Sequence, residues 1–252
     1  MRKAAMRLAA PLIAASLALP PLATPAQTLD PAMQEAVDAR IRSYLLENPE
    51  VLLEVFEVLE MRRRAAEAEA DADLVAEHAD ALFDDGFSFA IGAAQADVTI
   101  AMFSDYRCGY CKAAHGALTT LMAEDPGVRL VVQEFPVLGP ASVVAARAAI
   151  AAGRMDPSLY APFFDALMTF RGQIDEAAVF ATADDLGIDE AALRAAMEAP
   201  EIEAGLRATF DLARKLDVNG TPTFVIGDSV VRGFVQLDAL RGLVAAARED
   251  RG

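Results

Sequence analysis

The apolar side chains of residues 28–82 recur at the spacing of amphipathic helices. The positions that show this are Ile41, Leu45, Leu52, Val55 and Leu59, with a gap around residue 48. Pro49 disfavours helical geometry in the residue before it, so we expect two helices that meet at Asn48. Beyond residue 61 three arginines are followed by Ala alternating with Glu and Asp as far as residue 73. This stretch is a strong helix former with little apolar surface to bury.

One short stretch of this helical region is crowded with apolar side chains, namely Leu52, Leu53, Val55, Phe56, Val58 and Leu59. Apolar patches of this kind are seldom left exposed to water. Two interpretations are open. The helix packs on the globular domain of its own chain, or residues 28–82 mediate self-association, with residues 65–73 as a semi-rigid spacer. We favour the second interpretation.

Residues 87–135 have the pattern of strands that flank a helix. Residues 98–103 form an apolar run rich in β-branched side chains, residues 128–135 form a second, and residues 87–89 are a shorter strand candidate. Between the two longer runs, a helix begins at Cys108 and Cys111, extends to Glu124 and is stopped by Pro126 and Gly127. This order predicts a βαβ unit with two parallel strands.

The rest of the chain is helical up to residue 216, with Gly and Pro at intervals, and strand patterns return at 221–226 and 230–231. A last helix is expected from about Gln236. The pattern therefore predicts an α/β protein in which a helical insertion at about 139–216 interrupts a sheet. We divide the chain into residues 1–26, a helical arm at 27–82 and a catalytic domain at 83–252.

The composition narrows the classes of function. Of the 252 residues, 54% are hydrophobic, which is too many for a disordered chain. The formal net charge of −16 argues against a nucleic-acid-binding protein, because cations are needed to neutralise phosphates. Two cysteines cannot form a disulfide scaffold, so any role of theirs is local.

The first 26 residues have the pattern of a secretory signal peptide. A basic start is followed by an apolar run at 8–22 and by small residues, with cleavage expected after Ala26. The apolar run is interrupted by Pro11 and is too short to span a membrane, and no later segment reaches spanning length. We therefore expect a periplasmic protein that does not span the membrane.

The cysteine pair is the strongest chemical signal in the sequence. A helix amino terminus offers free backbone N–H groups and the positive end of the helix dipole, which together stabilise a thiolate. This position makes Cys108 the attacking group. Cys111 follows one helical turn later, so it can reach the first sulfur and release a bound substrate. A zinc half-site is the alternative for an isolated Cys-x-x-Cys, but a pair that follows a buried strand and opens a helix favours redox chemistry.

Thr221 and Pro222 form the second candidate element. A proline at the head of an apparent central strand is unusual unless its peptide bond is cis or the strand begins there. With a cis bond, the Thr221 backbone would face outward and pair with an extended substrate.

Three segments resemble the DsbA family of thiol–disulfide oxidoreductases. They are Phe103-Ser104-Asp105-Tyr106-Arg107-Cys108-Gly109-Tyr110-Cys111-Lys112, Glu134-Phe135-Pro136-Val137-Leu138-Gly139 and Gly220-Thr221-Pro222-Thr223-Phe224. The resemblance covers roughly residues 85–248. It implies a thioredoxin-like fold with an inserted helical domain and a cis bond at Pro222 beside the cysteines. The leader at 44–50 and its helices are similar to the N-terminal extension of the ScsC-like branch, some members of which oligomerise.

The two residues between the cysteines depart from the oxidase pattern. Gly109 and Tyr110 stand where the oxidase typically has Pro-His, and they are similar to the pair in the isomerase DsbC. The absence of that histidine implies a less oxidising protein. We assign Gly109, Tyr110, Thr221 and Pro222 to substrate binding.

Two further side chains, those of Glu134 and His115, are candidates for a chemical role. Glu134 ends the strand after the redox helix, where it is either a proton shuttle for Cys111 or a solvated acid. His115 shares a helical face with both cysteines, but three ligands without an apparent fourth favour a packed or surface histidine over a metal ligand.

The sequence as a whole predicts an exported thiol–disulfide oxidoreductase without a bound cofactor or metal. Its expected partners are cysteine-containing client proteins, a membrane redox partner of unknown identity and further copies of itself through residues 28–82. Isomerase or reductase activity is favoured, and dithiol oxidase activity is the alternative. A protein of another class, which holds Cu(I) through thiolates or acts as a chaperone, is the second alternative.

Overall fold

The computed structural model describes residues 30–249. The predicted signal peptide, 1–26, lies outside the described residues. The chain divides into two units, Met1–Val58 and Leu59–Gly252. Within residues 30–249, no helix is both long enough and apolar enough to cross a membrane.

The amino-terminal helices begin and end close to the predicted positions. Helix α1 is Pro31–Glu47, α2 is Glu50–Glu77 and α3 is Ala79–Phe83. The break between α1 and α2 is at Asn48 and Pro49, as predicted. There the backbone N–H and the side-chain amide of Asn48 both donate to the carbonyl of Tyr44, which ends α1.

Five strands form one mixed sheet. They are β1 Phe89–Gly92, β2 Val98–Ser104, β3 Val128–Glu134, β4 Thr223–Ile226 and β5 Ser229–Arg232. Their order in the sheet is β1-β3-β2-β4-β5. Strands β2 and β3 are parallel, because α4 (Gly109–Glu124) connects them as a crossover, and the other pairs are antiparallel. This confirms the predicted βαβ unit.

The expected short strand at residues 87–89 was misplaced. The strand begins only at Phe89, because the Asp85 carboxylate accepts hydrogen bonds from the backbone N–H groups of Phe87 and Ser88. These bonds hold the two residues in a turn, so they do not join the ladder with β3.

Five helices lie between β3 and β4. They are α5 Pro140–Met155, α6 Pro157–Thr169, α7 Glu176–Asp185, α8 Glu190–Met197 and α9 Pro200–Lys215, and α10 Leu237–Glu249 follows β5. Aspartates begin three of these helices: the side chains of Asp156, Asp175 and Asp189 accept from backbone N–H groups of the first turn. The α/β fold with helices inserted into the sheet is thus confirmed, while the limits of the three predicted domains remain predictions.

The alternation of side chains along β2 creates two apolar layers. Val98, Ile100 and Met102 pack with α4 and with α5–α8. Ala101 and Phe103 pack on the other face with Val75 of α2, Leu82 of α3 and the end of α9. The carboxyl ends of β2 and β3 are therefore fixed from both faces, and the cysteines follow directly from β2.

Candidate active site

Cys108 occupies the position that caps the amino terminus of α4. Strand β2 ends at Ser104, and a turn closed by the Cys108 N–H donating to the Asp105 carbonyl, at 3.0 Å, delivers the cysteine to the helix. Its Sγ accepts from the Cys111 N–H at 3.4 Å. The sulfur thus faces the free N–H groups and the positive dipole end of α4, where a thiolate is stabilised.

Cys111 is fully buried, whereas Cys108 keeps 7% of its surface exposed. Burial raises the pKa of the Cys111 thiol to about 12. Both cysteines are free thiols. The pair is therefore chemically asymmetric, since Cys108 lies at the helix end beside solvent and Cys111 remains a protonated thiol behind it.

The loop before β4 lies against the first cysteine. The Thr221–Pro222 peptide bond is cis, as the resemblance implies, and the Cys108 S–H donates to the Thr221 carbonyl at 3.3 Å. A pocket of about 180 Å³ is lined by Asn219, Gly220, Thr221, Pro222 and Arg232, among others. The structure thus brings Thr221 and Pro222 together with Cys108.

The two residues between the cysteines lie on the outer side of the site. Tyr110 is 68% exposed, and its ring lies 6.3 Å from that of Phe234, which is 41% exposed. Val137 and Leu138 are also exposed, in the loop after β3. The sequence motifs did not point to Phe234, because it belongs to none of them.

Glu134 is buried rather than solvated. Its Oε1 accepts hydrogen bonds from the hydroxyls of Tyr106, at 2.6 Å, and Tyr160, at 2.8 Å. Burial raises the pKa of Glu134 to about 8 although these two hydrogen bonds oppose the shift, and the Asp105 carboxylate adds to it. Sequence reasoning missed both tyrosines. Tyr106 could have been suspected from its place two residues before Cys108, but no pattern pointed to Tyr160 in α6.

Asp105 is a second buried acid that sequence reasoning did not select. It accepts from the Arg107 N–H, the Ser142 hydroxyl and the Leu138 N–H, at 2.8–3.0 Å. These bonds tie the turn before Cys108 to the loop after β3 and to α5. Because every bond comes from a different part of the chain, the backbone that carries Cys108 is fixed in position.

Three buried side-chain oxygens within residues 30–249 have no hydrogen-bond partner: Ser104 Oγ, Glu134 Oε2 and Thr221 Oγ1. Ser104 and Glu134 are directly paired across β2 and β3, and Thr221 lies just before β4. All three therefore lie at the sheet edge from which Cys108 follows.

The histidine that shares a face with the cysteines is engaged elsewhere. His115 is buried, its Nε2 lies 2.8 Å from Asp165 Oδ1 on α6, and its ring packs edge-on against Phe164. Across the part of the chain that the structure describes, no group of three or more His, Cys, Asp or Glu side chains could hold a metal ion. His115 therefore connects α4 to the inserted helices.

Comparison with known proteins agrees with this arrangement. The family model described as a DSBA-like thioredoxin domain matches residues 99–245, and the model described as the copper resistance protein ScsC N-terminal domain matches residues 34–66. The second match covers α1 and the first part of α2.

Two solved structures are similar over most of their length. A thioredoxin-like oxidoreductase from Silicibacter pomeroyi is 42% identical, with a TM-score of 0.65, and the match covers 68% of this chain and 97% of that one. A periplasmic thioredoxin-like protein from Salmonella enterica is 30% identical, with a TM-score of 0.62, and the match covers 67% and 94%.

Among curated proteins, the Na(+)/H(+) antiporter NhaA 1 of Salinispora arenicola is 28% identical over 158 residues, which are 62% of this chain. The match spans only 24% of the antiporter's own length. Together, the family matches, the sheet and the cysteine geometry show that this chain belongs to the DsbA-like thioredoxin-domain family of thiol–disulfide oxidoreductases, with an ScsC-type amino-terminal extension.

Proposed function

We propose that this protein is an exported thiol–disulfide oxidoreductase that reduces or isomerises disulfides in client proteins. The Cys108 thiolate attacks one sulfur of a client disulfide, which forms a mixed disulfide and releases the other client sulfur as a thiolate. Cys111 then loses its proton and attacks the Cys108 sulfur, giving a Cys108–Cys111 disulfide and a reduced client. In isomerisation a client thiolate attacks the mixed disulfide before Cys111 does. The Cys108 thiolate is then released unchanged, and the client keeps a rearranged disulfide.

The difference between the two cysteines carries this proposal. Cys108 lies at the helix end with part of its surface exposed, and it is hydrogen-bonded to the Thr221 carbonyl. Cys111 is fully buried, and burial raises its pKa to about 12. Only the first sulfur is therefore reachable by a client and faces the N–H groups at the start of α4, while the second reacts after a mixed disulfide has formed.

We assign client binding to the surface around Cys108. Thr221 and Pro222 present backbone to an extended segment, and Gly109 and Tyr110 form the opposite side. The exposed ring of Tyr110, close to that of Phe234, offers apolar contact that tolerates many side chains. A protein that rearranges wrong disulfides in different clients needs this kind of tolerance.

We infer that Glu134 receives the proton that Cys111 loses. Its pKa of about 8 lies close to neutral pH, so that it can exchange a proton readily there. The two tyrosine hydroxyls bind only Oε1 and leave Oε2 free for a proton. The proton shuttle is thus favoured over the solvated acid that the sequence left open, because Glu134 is buried.

Isomerase or reductase activity is favoured over dithiol oxidation for two reasons. The Gly109–Tyr110 pair lacks the histidine of the oxidase pattern. The six apolar side chains at residues 52–59 that were singled out in the sequence are all exposed on α2. Burial of such side chains in a homo-oligomer would bring several Cys108 sites to one client, which raises their effective concentration.

Export and recycling complete the proposal. The leader at 1–26 and the periplasmic location of one relative support a periplasmic protein. In that oxidising compartment the cysteines need a membrane redox partner that returns them to the dithiol form.

The function is tested with one client protein, prepared either with scrambled disulfides or in the reduced form. We expect the mature protein to refold a client with scrambled disulfides faster than it oxidises the same client in reduced form. Faster oxidation would establish the dithiol oxidase instead. Failure in both assays, together with stoichiometric Cu(I) on the same sample, would establish the thiolate metal-binding alternative.

A further inference from the structure

Arg232, the last residue of β5, connects the carboxyl half of α2 with the segment that leads to Thr221. Its Nη1 and Nη2 donate to the two carboxylate oxygens of Asp71 on α2, at 2.8 and 2.9 Å. Its Nε and Nη2 also donate to the carbonyls of Asp217, at 3.2 Å, and Leu216, at 3.1 Å. One guanidinium therefore connects the carboxylate of Asp71 on α2 to the backbone at Leu216 and Asp217.

The segment that Arg232 holds leads from Leu216 to Thr221, whose carbonyl contacts Cys108. Asp217 has a φ of 51°, a left-handed conformation that residues other than glycine adopt only when their surroundings enforce it. Its carboxylate accepts from the Asn219 amide at 2.8 Å, and its carbonyl accepts from Arg232. A few residues later the Thr221 carbonyl accepts from Cys108. The position of Thr221 thus depends on contacts made at residue 217.

The side chain of Arg232 also lines two cavities. It lines the pocket of about 180 Å³ beside Pro222 and a cleft of about 640 Å³ between α2 and β5. The charges of Asp71, Asp217 and Glu67 all act on its guanidinium. Without this cation, acids on α2 and on the segment before Thr221 would repel each other across the cleft.

We propose that Arg232 is a positioning residue for the client-binding segment at Thr221, and that Asp71 on α2 holds it in place. The inference rests on the proposed function, in which clients bind beside Thr221 and Pro222. A segment that is ordered before binding loses less conformational entropy when a client docks, so the ion pair increases client affinity. A residue of the amino-terminal helices thereby contributes to the affinity of the catalytic domain for its clients.

The test compares Asp71→Asn with Asp73→Asn in the full mature chain. Asp73 is an exposed acid on the same helix, so its variant has the same change in charge without the loss of the ion pair. The readouts are kcat and KM for reduction of a disulfide-containing peptide, and the rate at which a small alkylating reagent modifies Cys108. For Asp71→Asn we expect KM to rise roughly tenfold, with kcat and alkylation within about twofold of wild type. Asp73→Asn should match wild type, and Asp71→Glu should recover most of the lost affinity.

Each other outcome has a distinct meaning. A wild-type protein that does not reduce the peptide refutes the proposed function. A wild-type protein that does, together with an unchanged KM for Asp71→Asn, overturns this inference alone. A fall in kcat and a changed alkylation rate would also overturn it, because they would show that Asp71 supports the fold around Cys108 rather than client affinity.

Discussion

Helix α4 and the first half of α2 both carry apolar side chains at helical spacing, but these side chains differ in what surrounds them. In α4, Cys111, Ala114, Leu118 and Leu121 are buried beneath the sheet and the inserted helices. On α2, Leu53 and Phe56 are 64% and 63% exposed, and the helix has no buried residue before Val75. Similar patterns thus lead to opposite degrees of burial.

This difference shows that periodicity identifies a face that needs a partner without identifying the partner. For α4 the partner is supplied by β2 and β3, which the chain places on either side of the helix. For α2 we propose a second copy of the chain. On this proposal the side chains of α4 stabilise the fold and those of α2 would join copies of the chain. Three experiments probe the two regions, starting with the largest effect.

The first experiment tests the site that α4 supports. We expect Cys108→Ser to abolish thiol exchange, because the sulfur that a client can reach is lost. Cys111→Ser should accumulate mixed disulfides with clients, because no second thiol releases them. Non-reducing gels followed by mass spectrometry of the trapped species distinguish the two variants. Trapping by Cys108→Ser but not by Cys111→Ser would reverse the roles of the cysteines.

The second experiment makes the same substitution in both regions. Leu118→Ala removes a fully buried side chain of α4 and should lower the free energy of unfolding by about 2–5 kcal/mol. Leu53→Ala should change that free energy by only about 0.5 kcal/mol when measured on dissociated protein, because the side chain is exposed. Chemical denaturation monitored by circular dichroism gives both values.

Self-association should respond in the opposite order. Leu53→Ala should raise the dissociation constant of the oligomer by about tenfold or more, and Leu118→Ala should leave it unchanged. Light scattering over a range of concentrations measures this. A wild-type protein that is monomeric at micromolar concentration, or an equal loss of folding stability in both variants, would show that α2 packs within its own chain.

How much of the fold the sequence predicted depends on whether a feature is set by neighbours along the chain or by other contacts. Features set by neighbours along the chain were predictable, such as the break at Asn48 and the helix that begins beside Cys108. The start of β1 was misplaced because a side chain, Asp85, competes for backbone that would otherwise pair.

Contacts between distant residues in the site could not be predicted. The Tyr160 hydroxyl reaches Glu134 only because α6 packs against β1, the neighbour of β3, and Arg232 meets Asp71 only because β5 lies at the edge of the sheet next to α2. Pairings of this kind are set by tertiary packing, which leaves no periodic signal along one sequence. The placement of the cysteines at the start of α4, and of Thr221–Pro222 just before β4, was predictable because each pair belongs to a short local motif.

The last experiment concerns what burial does to a charge, and its effect appears only as the pH is changed. Burial raises the pKa of Glu134 from 4.5 to about 8. The folded protein therefore holds this proton more tightly than the unfolded chain, so the stabilisation is complete below pH 4.5 and is lost as the pH rises towards 8. Glu134→Gln keeps an oxygen that accepts from Tyr106 and Tyr160 but has no proton to lose. Relative to this variant, wild type should lose about 1 kcal/mol of unfolding free energy per pH unit over that window.

An exposed acid on α2 serves as the control for the buried acid Glu134. Glu69→Gln removes a carboxylate from an exposed part of α2 that lies outside residues 52–59, so it controls for the loss of one negative charge. Denaturation curves at several pH values measure both variants against wild type. Parallel curves for wild type and Glu134→Gln would show that folding does not raise the pKa of Glu134, which would remove the reason to assign it the exchange of the Cys111 proton near neutral pH. A difference confined to Glu134→Gln would show that burial beside the sheet, and not acidity in general, makes this carboxyl group responsive near neutral pH.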